Sequence, residues 1–136
     1  MKKLLALLAI FTLAGCSLSD DETNFHFEFV PIESVVLPES FELNETYEIS
    51  VSFLRPNDCY LFHDLAYSRD QADLERTVAV VNTVFIDRPC AEVTQISEVS
   101  FNFIALYQGT YTFRFWQGQG ENGEDLYLTV EVPVVE

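Results

Sequence analysis

The apolar residues of this chain recur at every second position, and that period constrains its fold more than any other feature. Phe25, Phe27 and Phe29 alternate with His26 and Glu28. Tyr47, Ile49, Val51 and Phe53 alternate with Glu48, Ser50 and Ser52. The same pattern holds at Val99, Phe101 and Phe103, at Tyr111, Phe113 and Phe115, and at Leu126, Leu128, Val130 and Val132. Successive side chains of a strand point to opposite faces, so a period of two gives each stretch one apolar and one polar face. Two less regular strands are expected near 59–67 and 76–86. The run Val78-Ala79-Val80-Val81 is apolar on both faces, which fits a covered central strand. The five prolines fall between runs or near their edges, where a missing N–H is tolerated. About seven short antiparallel strands with one polar face predict an all-β fold, two sheets packed face to face.

The last two runs allow a register argument. Inward positions are odd-numbered in 111–115 and even-numbered in 126–132, so opposed residues must have an odd sum. Asn122-Gly123 is a strong two-residue hairpin signal. A turn centred there pairs Phe115 with Val130, Phe113 with Val132 and Arg114 with Glu131. Gly118 and Gly120 allow a longer loop or a bulge instead.

The N-terminal segment does not belong to that pattern. Met1-Lys2-Lys3 is basic, and Leu4 to Leu13 is a ten-residue apolar run. A bilayer span needs about 20 residues, so this is a signal peptide (1–15), expected to be helical, and not a transmembrane helix. Leu13-Ala14-Gly15-Cys16 resembles the lipobox of bacterial lipoproteins. That resemblance implies cleavage before Cys16 and a diacylglyceryl lipid on its sulfur, with acylation of the new N-terminus by a fatty chain such as palmitate. Two or more chains give stable attachment without a span. The alternative is an ordinary secretory signal with a chance cysteine. Residues 16–24 then form a lipidated cysteine and an acidic tether, and 25–136 the sandwich domain. Eight extended residues, 17–24, reach at most about 26–29 Å. Ser17 after the cysteine, where an inner-membrane retention signal has Asp, implies an outer-membrane lipoprotein of the cell envelope. Asp20-Asp21-Glu22 resembles the surface-export signal of Bacteroidota lipoproteins; the alternative is a solvated linker.

Charge narrows the function classes. The chain holds 22 acidic residues against seven basic ones, a net of −15. Both lysines lie in the signal. From Cys16 onward five arginines (55, 69, 76, 88 and 114) stand against all 22 acids, a formal balance of −17. Such a surface repels phosphate backbones, so nucleic acid is not an expected partner.

Cys59 and Cys90 remain, an even pair in an exported chain, 31 positions apart and both beside turn residues. An oxidising compartment favours a disulfide between them. Catalytic motifs are missing: there is no G-x-S-x-G, Walker loop or H-E-x-x-H. His63-Asp64 has no nucleophile nearby in sequence. Glu121, Glu124 and Asp125 cluster oxygen ligands at a loop, weak candidates for calcium, which takes six to eight oxygens. A polar hairpin tip is the alternative. Trp116 and Tyr127 fall on the face opposite the packed Phe residues of their hairpin, and form the candidate binding surface. No cofactor is expected beyond the covalent lipid on Cys16.

Gln108-Gly109-Thr110-Tyr111-Thr112-Phe113 resembles the D-x-G-x-Y-x-C corner of immunoglobulin-like domains, with Phe113 where the cysteine would stand. The resemblance implies an immunoglobulin-like sandwich with Tyr111 as its corner tyrosine. Cupredoxins end on a similar G-x-Y-x-F, but their copper site needs Cys and His near that hairpin, and none is there. Pro56-Asn57-Asp58-Cys59-Tyr60 and the strands at 76–81 and 111–116 are similar to those of small flavobacterial lipoproteins, a likeness that brings no activity with it. The expected function is therefore non-enzymatic: a membrane-anchored binding or envelope-assembly module with an envelope protein as partner. The alternatives are an immunoglobulin-like peptidase inhibitor or a hydrolase.

Overall fold

A computed structural model describes residues 24–69 and 72–136. The expectations for the signal peptide (1–15), for Cys16 and for Asp20–Glu22 lie outside the described residues. What is described is all-β, with nine strands: β1 (Phe25–Val30), β2 (Ile32–Val36), β3 (Phe41–Glu42), β4 (Thr46–Leu54), β5 (Tyr60–Ser68), β6 (Glu75–Phe85), β7 (Ile96–Ile104), β8 (Thr110–Gln119) and β9 (Asp125–Val135).

The strands form two sheets. The smaller is antiparallel, in the order β2-β4-β7. In the larger, β6 has β5 along one edge, while β1 and β8 share the other. β1 pairs antiparallel with residues 80–85 of β6, and β8 pairs parallel with residues 75–78. β9 follows β8 antiparallel, and the two-residue β3 adds to β9 in parallel. The sandwich expected from the alternation is therefore present, with two differences. There are nine strands where about seven were expected, because the N-terminal stretch yields three short ones. Two of the pairings are parallel, because a strand's neighbours are set by long-range packing that its own sequence does not encode.

The core lies between the sheets. Ile49, Val51, Phe53 and Phe103 from the smaller sheet meet Val78, Val80, Tyr111, Phe113, Phe115 and Val132 from the larger, all buried. Phe103 is the hinge of this packing: its ring centroid lies 4.9 Å from Tyr111 and 5.1 Å from Phe113, both edge-on. Such geometry suits the quadrupoles of aromatic rings. The chain passes from one sheet to the other at Pro31, and the residues on either side, Val30 and Ile32, are both buried. Proline suits this crossing because no ladder hydrogen bond is asked of it.

The Cys59–Cys90 disulfide is present, with Cα atoms 5.4 Å apart. Cys59 precedes β5 and Cys90 follows β6, so the bridge closes the open end of that hairpin. Asp58 reinforces it: its N–H donates to the Ala91 carbonyl and its carboxylate accepts from the Ala91 N–H, at 2.9 and 2.8 Å. The tyrosine corner is present as well. The buried Tyr111 hydroxyl accepts the N–H groups of Leu106 and Tyr107, each at 3.1 Å.

The β8–β9 hairpin corrects the expected register. Phe113 faces Val130, Phe115 faces Leu128 and Arg114 faces Thr129, a slip of two residues from the pairing centred on Asn122-Gly123. Glu131 faces Thr112 instead. A two-residue type I′ turn needs positive φ at both central residues. Gly123 has it, at +80°, and Asn122 does not. The chain turns over Gly120–Gly123, with the Gly123 N–H donating to the Gly120 carbonyl at 3.0 Å. The connection between the paired Gln119 and Asp125, residues 120–124, has odd length, which alone would turn the apolar faces out of phase. A one-residue bulge between Trp116 and Gln119 restores the phase.

Candidate functional site

Trp116 and Tyr127 are directly opposed on β8 and β9, on the outer face of the larger sheet. They line a groove of about 550 Å³ that continues over β6 and β5. Its floor is small, with Ala79, Thr77 and Ala66, and its walls are aromatic, with Phe29, Trp116, Tyr127 and Tyr67. Small residues on β5 and β6 beside large ones on β1, β8 and β9 make the sheet face concave. The Trp116 Nε1–H donates to Asp125 at 3.0 Å, which fixes the indole. The Arg114 guanidinium lies over the Tyr127 ring at 5.3 Å, within cation–π range. The bulge at Gln117-Gly118 carries Gln119 to the end of the groove.

The largest departure from the sequence reading lies at β1. Its alternation assigned the phenylalanines to one face, but that face is not the packed one. Phe27 and Phe29 are 52% and 55% exposed, and Phe25 is exposed as well. They extend the groove into an aromatic band. Phe29 stands 5.7 Å from Trp116 between centroids, Phe25 stands 5.6 Å from Phe27, and Phe27 lies 4.5 Å from His63. The physical reason is Val30. As the residue that leads into the crossing at Pro31 it must be buried, so even positions face inward and odd ones outward. The signal was present in sequence as Val30-Pro31-Ile32, two apolar residues astride a proline. Exposed apolar surface this continuous is uncommon outside interaction sites.

The other candidates are not brought together. Glu124 accepts a hydrogen bond from the Asn122 N–H, and Asp125 is held by Trp116. With Glu121 they form no close cluster. Among the described residues the one group of three potential ligands within 4.8 Å is Asp58, Cys59 and Cys90, and both of its sulfurs are in the disulfide. His63 sits against Phe27 and makes no catalytic arrangement with Asp64, whose carboxylate accepts from the Leu65 N–H.

Among the described residues three groups depart from their ordinary titration. The Glu28 carboxyl is held below its usual range by a hydrogen bond from Tyr60 and then by His26, whose Nε2 lies 2.7 Å away. The Tyr60 phenol is pushed up to about 12, first by that same bond to Glu28. Burial pushes the Tyr67 phenol up, opposed by the charge of Arg76 and a hydrogen bond with it. The Glu28–Tyr60 contact crosses β6 to join β1 to β5, which suits a structural clasp.

The fold and the groove together define a two-sheet sandwich with an aromatic outer face. Comparison with known proteins finds no matching family model, no matching curated protein and no matching solved structure.

Proposed function

We propose that this chain is a lipid-anchored protein of the bacterial cell envelope, attached to the outer membrane through Cys16, whose sandwich is a non-catalytic binding module. The observation that carries the binding role is the groove formed by Phe29, Trp116 and Tyr127 on the outer face of the larger sheet. Aromatic side chains fixed by neighbours present large contact area at little entropic cost, which is what interface anchors need. The lipobox residues Leu13-Ala14-Gly15-Cys16 support the anchor, and the tether keeps the acidic domain clear of the bilayer. A surface balance of −17 disfavours anionic headgroups and nucleic acid, which leaves an envelope protein as the expected partner.

Two experiments separate the parts of this reading. Alkyne-palmitate labelling is expected to tag the wild-type protein and leave Cys16→Ser untagged and released from the membrane. Equal labelling of both would remove the anchor. For the module, affinity purification from intact envelope compares wild type with Trp116→Ala/Tyr127→Ala. Envelope or transport components are expected with wild type and lost from the variant. Recovery of secreted proteases would favour a peptidase inhibitor, and identical recovery from both proteins would remove the groove from the account. Trp116 is the sole tryptophan, so its fluorescence reports groove occupancy directly with any purified partner.

A further inference from the structure

A second cavity lies between the free edges of the two sheets, at β5 and β7. It measures about 600 Å³ and is bounded by β5, by β7 and by the start of β6. That volume falls in the range of small-ligand sites. Its walls include Phe62, Leu65, Phe101 and Leu106, and two of the five arginines, Arg69 and Arg76, line it as well.

Arg76 makes this cavity unusual. The residue is 4% exposed, so its guanidinium is nearly dry. Its Nη1 donates to the carbonyls of Asp73 and Glu75 at 2.8 and 2.7 Å, and the guanidinium carbon lies 5.3 Å from the Tyr111 ring centroid. Its Nε is buried without a hydrogen-bond partner. The ion pairs among the described residues are His26–Glu28 and Arg88–Asp87, so none of them neutralises Arg76. Asp64 lines the cavity too, its carboxylate accepting the Leu65 N–H, and it makes no ion pair with Arg76 within 4.0 Å. A buried cation that lacks a carboxylate counter-ion costs several kcal/mol, by general estimates about as much as breaking a buried pair. An arginine at a cavity, with no ion-pair partner among the described residues, leaves room for an anion from outside.

We infer that the cavity between β5 and β7 binds a small organic carboxylate with an apolar body, its anionic head at Arg76 and Arg69 and its tail against Phe62, Phe101 and Leu106. The occupant follows from charge and lining together. A bare inorganic anion would leave the aromatic walls unused, and a neutral apolar molecule would leave Arg76 uncompensated. This site shares only Tyr67 with the aromatic groove, and the anchor and the residues Phe29, Trp116 and Tyr127 can fail as a binding surface without affecting it.

The test uses the full-length protein in a nonionic detergent, with 4-phenylbutyrate and its neutral analogue 4-phenylbutanamide as probes. The chain holds five arginines, so its arginine Nε–H region in a 15N correlation spectrum has five side-chain signals. Phenylbutyrate is expected to shift the Arg76 and Arg69 signals saturably, with the amide binding about tenfold or more weakly because a charge-assisted hydrogen bond is lost. Arg69→Ala, an exposed position, should weaken phenylbutyrate several-fold with an unchanged amide spectrum elsewhere. Equal binding of acid and amide would overturn the inference. So would silence of Arg76 at millimolar probe, or shifts confined to Arg114 beside Tyr127, which would place the probe in the aromatic groove.

Discussion

Glu28, Tyr60 and His26 make a clasp in which each side chain changes what the next can do. The Tyr60 hydroxyl donates to Glu28, and His26 sits against the other carboxylate oxygen. The bond favours ionised Glu28 and neutral Tyr60, so it acts at both ends of the pH scale. Glu28 is depressed in the folded protein, so its contribution is complete above its ordinary value of 4.5 and is lost as pH falls through the folded value. Tyr60 is raised from 10.0 to about 12, so its contribution is complete below 10 and is lost as pH rises toward 12. Tyr60→Phe should therefore lower the denaturation midpoint at pH 7 and shrink the loss of stability below pH 4.5 and above pH 10. Urea melts across pH for both proteins check this; curves that stay parallel would dismiss the clasp. None of it was legible in sequence, since Glu28 and Tyr60 are 32 positions apart and meet only because β1 and β5 flank β6.

At the scale of elements, the alternation gave strand positions and inward faces for β4, β7, β8 and β9, and their core residues are those expected except Leu126, which is exposed opposite the β8 bulge. It misassigned β1, where a single buried residue beside Pro31 overrules three phenylalanines. It also misplaced the β8–β9 register by two, because the pattern fixes only the parity of the pairing while the turn fixes the pairing itself. Gly118 decides how that conflict is resolved. It sits in the bulge at φ +101°, and a Cβ there would lie 3.3 Å from Pro31 Cγ. Gly118→Ala is expected to cost about 1–3 kcal/mol through backbone strain, and also to disturb Trp116 fluorescence because the groove shares the bulge. A thermal melt and an emission spectrum read both. The disulfide is the other element-scale device. Removing it with Cys59→Ala/Cys90→Ala should cost about 3.7 kcal/mol by loop entropy. Hydrogen exchange should then quicken first at the open end of the β5–β6 hairpin, and a uniform loss of protection would argue against a local staple.

For the whole molecule, charge and apolar surface oppose one another. A net of −15 repels itself, while the aromatic band on β1, β8 and β9 leaves apolar surface in water. Salt should therefore raise the melting temperature between about 10 mM and 150 mM, as the Debye length falls from about 30 to 8 Å. The band's own interactions should respond far less. A melting temperature that falls with salt would mean that ion pairs outweigh the repulsion.

The sequence by itself determined the class of fold, the disulfide pair, the corner tyrosine and the two aromatics of the hairpin. Each depends on local spacing or on the count of a rare residue type, and such signals survive without knowledge of neighbours. The tertiary structure alone decided that Phe25, Phe27 and Phe29 face solvent beside Trp116. It also decided that β6 lies parallel to β8, and that Arg76 lies buried at the cavity between two free sheet edges. Those facts depend on which strands become neighbours, and strand pairing is settled by contacts between residues tens of positions apart, where a periodic pattern carries no information.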